Sequence, residues 1–175
     1  MNNIRKYGEP PYIVAVIHGG PGAPGDVAPI ARELSLTYGV LEPLQTQATL
    51  SGQIEELASL IQDNADIPIT LIGHSWGAML SYIVTAQNPI LIKKLILVSS
   101  GVFDEKYASS IMDVRLSRLT NNERKAFDSM LVEFNSPAIA DKNAVFEKFG
   151  KLMEQADSYD LLPHDNDIIE YQYKI

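Results

Sequence analysis

Cysteine is absent from this chain, so no disulfide closes it and no thiolate serves as nucleophile or metal ligand. Basic residues are in deficit: 14 Lys and Arg face 22 Asp and Glu, a formal charge of −8. Phosphate recognition needs a clustered basic surface, which argues against nucleic acid and anionic membranes as partners. The excess is spread along the chain, −3 over residues 1–102 and −5 over 103–175, so there is no acidic tail. Long apolar runs are missing as well. The longest have strand length, far below the roughly 20 residues that a membrane span needs. Arg5 and Lys6 are not followed by the apolar segment of a signal peptide. What remains is a cytoplasmic, acidic protein of 175 residues, 46% hydrophobic, with enough apolar side chain for a real core.

The apolar, β-branched run Tyr12 to Ile17 reads as a strand buried on both faces, ending in Gly19-Gly20-Pro21-Gly22. Asp26 is placed to cap a helix carrying Val27, Ile30, Ala31 and Leu34 at helical spacing. Val40 to Leu44 is a weaker strand, interrupted by Glu42 and Pro43. Ile54, Leu57, Ala58 and Ile61 mark a second helix, Ile69 to Ile72 a strand, Ala78 to Gln87 a third helix, and Leu95 to Val98 another strand. Alternation of this kind predicts an α/β fold: a mostly parallel sheet flanked by helices.

The grammar changes near Phe103. Helical stretches follow over roughly 104–119, 121–134 and 142–156, and Thr120 with Glu123 fits a capping box. Ala126, Phe127, Met130, Leu131 and Phe134 form one buried stripe, and Phe149, Leu152, Met153 and Ala156 another. The aromatics Tyr107, Phe127, Phe134, Phe146, Phe149 and Tyr159 are expected mostly in the core of this segment. A last helix is expected from about Asp167, with Ile168, Tyr171 and Ile175 on one face and no stop signal. The chain therefore divides into a sheet-bearing part, 1–102, and an all-helical cap, 103–175.

Two motifs carry chemistry. Gly73-His74-Ser75-Trp76-Gly77 follows a strand and opens a helix, the setting of a nucleophile elbow with Ser75 as nucleophile. The bland reading is a helix start capped by the Ser75 hydroxyl. His18-Gly19-Gly20-Pro21-Gly22 also ends a buried strand. A tetrahedral intermediate needs two converging N–H donors. Trp76, the residue after the nucleophile, supplies one, and Gly20, with Gly19 as the alternative, supplies the other. The glycine loop lacks the Lys-Ser/Thr of a P-loop and the register of a dinucleotide fingerprint.

With about 55 residues between them, His-Gly-Gly-Pro-Gly and Gly-His-Ser-Trp-Gly resemble the α/β-hydrolase superfamily, and most of all its prolyl aminopeptidase (proline iminopeptidase) branch. The likeness covers about Tyr12 to Gly101, the N-terminal part of such a protein, and the helical segment resembles that group's cap in position. It implies that His18 braces the oxyanion turn, with Gly19 and Gly22 shaping it. It also implies a later acid and a later histidine, carried by C-terminal strands that are missing from the chain as read. Two features depart from the branch. Leu41 to Gln47 carries no Asp-x-Arg-Gly-x-Gly-x-Ser, and about eleven residues leave little room for two leading antiparallel strands.

The histidines are His18, His74 and His164. His74 occupies the variable position of the elbow and is expected to point away from the nucleophile. His164, in Leu162-Pro163-His164-Asp165, has the setting of a polar loop, as do Asp160, Asp165 and Asp167. No His-x-x-x-His, cysteine or tight carboxylate cluster suggests a metal, and no cofactor is expected. The leading expectation is a serine hydrolase that takes a small ester, amide or short peptide through an acyl-enzyme at Ser75. The alternatives are a non-catalytic binding protein on the same fold, or a lyase or haloperoxidase built on it. A sheet ending on an apolar edge predicts self-association.

Overall fold

Strands and helices alternate over the first hundred residues of the computed structural model, which describes residues 3–20, 22–137, 139 and 141–160. The strands are β1 (Ile4–Tyr7), β2 (Tyr12–Ile17), β3 (Gly39–Pro43), β4 (Ile69–His74) and β5 (Ile92–Val98). Between them lie α1 (Ala28–Leu34), α2 (Leu50–Asn64) and α3 (Trp76–Gln87). The sheet order is β1-β3-β2-β4-β5, with β2, β3, β4 and β5 parallel and β1 antiparallel to β3. This is an α/β-hydrolase fold.

Strand pleating explains why β2 is apolar throughout. Ala15 and Ile17 face one core with Leu57 and Ile61 of α2 and Leu80 and Val84 of α3. Val14 and Val16 face the opposite core with Val27, at the start of α1, and Ala31 of α1. Successive side chains point to opposite faces, so a strand covered on both sides has no solvent-facing position.

The short β1 corrects the expectation that the leading antiparallel strands are absent, because one of them is present. Glu42, which made β3 look weak, is fully buried there. Its carboxylate accepts from the Tyr7 hydroxyl at 2.6 Å and lies 3.5 Å from the Arg5 guanidinium, both on β1. A buried charge needs such partners. Burial first, and then Glu42, push the Tyr7 phenol up to about 12.

The chain divides into two compact units, with the division between Gly101 and Val102. The second unit contains α4 (Ser109–Ser117), α5 (Asn121–Asn135) and α6 (Lys142–Asp157). Thr120 and Glu123 form the capping box of α5. Phe149 of α6 packs on Phe127 and Phe134 of α5, with ring centroids 5.8 and 5.4 Å apart. Arg115 of α4 grips Asp157 through two hydrogen bonds of 2.5 and 2.9 Å. Four expected core residues are not core: Ala126 is exposed, and Leu131 is 40%, Tyr107 58% and Tyr159 96% exposed. The expected last helix, from Asp167, lies outside the described residues. Among the described residues, no helix is long and apolar enough to cross a membrane.

Candidate active site

Strand β4 ends at His74 and α3 begins at Trp76, so the chain reverses around one residue. That residue is Ser75, at φ 52° and ψ −116°. A non-glycine residue in such a region costs on the order of 1–3 kcal/mol and persists only where its surroundings over-determine it. The surroundings do so here. The Ser75 amide donates to Val98 O at 2.9 Å, and the Ala78 amide donates to Ser75 O at 3.1 Å.

The flanking glycines leave no room for a side chain. A Cβ on Gly73 would lie 2.3 Å from Gly77 O, and one on Gly77 would lie 2.4 Å from both Ile17 O and His18 O. The Ser75 hydroxyl makes no capping bond to α3, which removes the reading of this serine as a helix cap.

The turn after β2 lies against the elbow, because β2 and β4 are neighbours with Ile17 paired to Gly73. A Cβ added to Gly19 would lie 3.3 Å from Ser75 Cβ. Gly20 (φ +43°) and Gly22 (φ +100°) take left-handed backbone conformations that other residues resist. His18, fully buried, underlies the turn. Its Nε2 accepts from the Gln45 amide at 3.1 Å, which places the ring proton on Nδ1, 3.0 Å from the acceptor Gly19 O. Burial pushes the His18 pKa below 6.5, in keeping with a neutral ring.

Three further side chains organise these turns, and the sequence did not single them out for that work. Asp26 does not cap α1, whose start has no side-chain cap. Its Oδ2 instead accepts from the Gly19 amide at 2.9 Å and from His74 Nδ1 at 3.2 Å. That hydrogen bond raises the His74 pKa above 6.5, against the opposing effect of burial. Gln45, just past β3, holds His18 as described. Gln53 on α2 accepts from the Trp76 indole at 2.9 Å and donates to Gln47 O at 2.8 Å. The signal for Gln53 was present, since it shares the buried i, i+4 row of Leu57 and Ile61.

Among the described residues, no histidine is hydrogen-bonded to the Ser75 hydroxyl. Both nitrogens of His18 are engaged elsewhere, and His74 Nδ1 is held by Asp26. His164, Asp165 and Asp167 lie outside the described residues. No group of three or more His, Cys, Asp or Glu that could hold a metal occurs among the described residues.

Residues 46–136, more than half of the chain, match the family model of the alpha/beta hydrolase fold. The chain belongs to this family. Mouse monoglyceride lipase is 29% identical over 75 residues, covering 43% of this chain and 25% of the lipase. The cis-3-alkyl-4-alkyloxetan-2-one decarboxylase of Shewanella oneidensis is 36% identical over 56 residues, covering 31% of this chain and 18% of that protein. Among solved structures, VinJ superposes with a TM-score of 0.64 at 18% identity, over 87% of this chain and 55% of VinJ. The thioesterase domain from the curacin biosynthetic pathway gives 0.52 at 26% identity, over 66% of this chain and 48% of that domain. Each match thus spans about half or less of the relative's length. One relative is named a lipase and another a decarboxylase, so membership alone does not name the reaction.

Proposed function

We propose that the protein is a serine hydrolase that takes a small ester, amide or peptide substrate through an acyl-enzyme at Ser75. The observation that carries this reading is the strained single-residue turn between β4 and α3, which lifts the Ser75 side chain out of regular structure. The Trp76 and Gly20 amides are the oxyanion donors in this reading. Gly19 is the weaker candidate of the two glycines, because its N–H already points at Asp26. His18, Gly19 and Gly22 form the supporting loop in this reading.

Lipase and thioesterase relatives favour an ester or thioester over the N-terminal peptide bond of an aminopeptidase. A fluorophosphonate probe tests the reading directly. We expect labelling of Ser75 in the full-length protein and none in Ser75→Ala. No labelling, beside a control hydrolase that reacts, sinks it. The engagement of both described histidines away from Ser75 supports a second reading, a non-catalytic binding protein on the hydrolase fold. Full-length protein that binds but never turns over an ester panel would favour that one.

A further inference from the structure

Asp26 sits where a helix cap is expected and does not cap. Its side chain is only 17% exposed, and Oδ1 is buried without a hydrogen-bond partner among the described residues. Removing a carboxylate from water is costly, so its placement calls for a reason beyond surface solvation.

Its two bonds supply one. The same oxygen, Oδ2, takes a proton donor from each of two separate turns: Gly19 N–H after β2, and His74 Nδ1 at the end of β4. Gly19 immediately precedes Gly20, the oxyanion donor of the reading above, and His74 immediately precedes Ser75. The three groups are in close contact, since a Cβ on Gly19 would lie 2.8 Å from Asp26 Oδ2 and 3.0 Å from His74 Nδ1. One carboxylate oxygen therefore spans the two backbone segments whose relative placement decides whether an oxyanion donor faces the nucleophile. A donor misplaced by 1 Å loses much of its effect on a transition state.

We propose that Asp26 is a positioning residue which, through Gly19 and His74, clamps the oxyanion turn in register with the nucleophile turn. This rests on the assignment of Ser75 and Gly20 made above. The clamp acts on the covalent step, in which the Ser75 oxygen bonds to the acceptor atom (phosphorus of the probe or an acyl carbon) and negative charge builds on the acceptor's oxygen. The bond to the leaving group (fluoride or the alcohol) then breaks, the serine proton leaving with that group. It does not act on the initial docking of the substrate.

The test is the kinetics of Ser75 phosphonylation by a fluorophosphonate in the full-length protein, resolved into a reversible binding constant and a rate constant for bond formation. Asp26→Ala is expected to lower the bond-forming rate about 10–100-fold, below the ~100–1,000-fold of a deleted oxyanion donor, with reversible binding within about twofold. Asp26→Asn keeps an acceptor for Gly19 N–H and is expected to recover most of that loss, which a mere packing defect would not. It also keeps the test informative where Asp26→Ala does not fold. His74→Gln, which keeps the Asp26–Gly19 bond, should fall between wild type and Asp26→Ala.

Equal rate constants for wild type and Asp26→Ala overturn the clamp alone, as does a loss confined to reversible binding or an Asp26→Asn rate no better than that of Asp26→Ala. A wild-type protein that fails to label overturns the hydrolase reading, and the clamp with it.

Discussion

The sheet unit and the helical unit are held by different kinds of constraint. Around Ser75 the tight contacts are between backbones: glycines lie where a single added carbon would strike a carbonyl at 2.3–2.4 Å. In the helical unit the contacts are between side chains, with Phe149 against Phe127 and Phe134 and Arg115 paired with Asp157. Backbone constraints fix position but tolerate no added volume, whereas side-chain contacts relax when one partner shrinks. A reaction centre needs the first kind, and a surface that adapts to its ligand is better served by the second.

The sharpest break of this comparison is an added methyl group. Gly77→Ala places a Cβ 2.4 Å from two carbonyl oxygens of β2 and its turn. We expect a loss of more than about 4 kcal/mol, enough to unfold the sheet unit at ordinary temperature. Gly101→Ala, whose new carbon would meet only Met79 at 3.6 Å, should stay within about 0.5 kcal/mol of wild type. Urea unfolding followed by far-ultraviolet circular dichroism measures both. A Gly77→Ala protein as stable as Gly101→Ala would show that the elbow is loose.

Removing volume tests the other side. Leu71, fully buried in the sheet core, and Phe127, 6% exposed in the helical unit, are the matched pair. Leu71→Ala is expected to cost about 3 kcal/mol and Phe127→Ala about the same or less, because a two-layer helical packing collapses more readily on the gap. Unfolding in two steps is expected, as for separate compact units, with Leu71→Ala shifting one transition and Phe127→Ala the other. A single transition moved equally by both variants would mean that the units unfold as one.

The same contrast decides how far the sequence could be read. Tyr12–Ile17 announced a strand covered on both faces, and Gly73 to Gly77 announced a reversal, because in each case the signal is local. The capping box of Thr120 and Glu123 was legible for the same reason. Glu42 was misleading, since its partners Arg5 and Tyr7 lie more than thirty residues away on a strand too short and polar to be recognised. Asp26 looked like a cap because capping is what an aspartate before a helix does locally, while its actual partners come from the turn after β2 and the end of β4. The spacing of Tyr107 and Tyr159 suggested burial, but helical spacing does not place residues at the ends of a helical unit, and both are exposed. Site chemistry built from contacts across the sheet stays hidden until the strand order is known.

Within the helical unit, a smaller effect isolates local structure from packing. Thr120→Ala removes the hydroxyl that accepts from Glu123 N–H at the start of α5. The expected cost is about 1 kcal/mol, confined to the transition that Phe127→Ala shifts. A cost spread over both transitions would count against independent units.

The smallest expected effect sharpens the comparison inside the sheet unit, between its two described histidines. His18 has a lowered pKa, so the folded state binds fewer protons than the unfolded chain. Its contribution to stability is fully present above about pH 6.5 and is lost as the pH falls through the depressed folded value. Protonation also puts a hydrogen on Nε2, where the Gln45 amide now donates. His74 has a raised pKa, because the bond to Asp26 outweighs burial. Its contribution is present below pH 6.5 and is lost as the pH rises through the elevated folded value. The side chain is 40% exposed, so solvent screens that pair and the alkaline loss should be the shallower of the two. Melting temperature against pH should therefore show an acid limb that His18→Gln removes and a weaker neutral-to-alkaline decline that Asp26→Asn removes. If Asp26→Asn leaves that decline in place, the ion pair between the two turns does not form in solution.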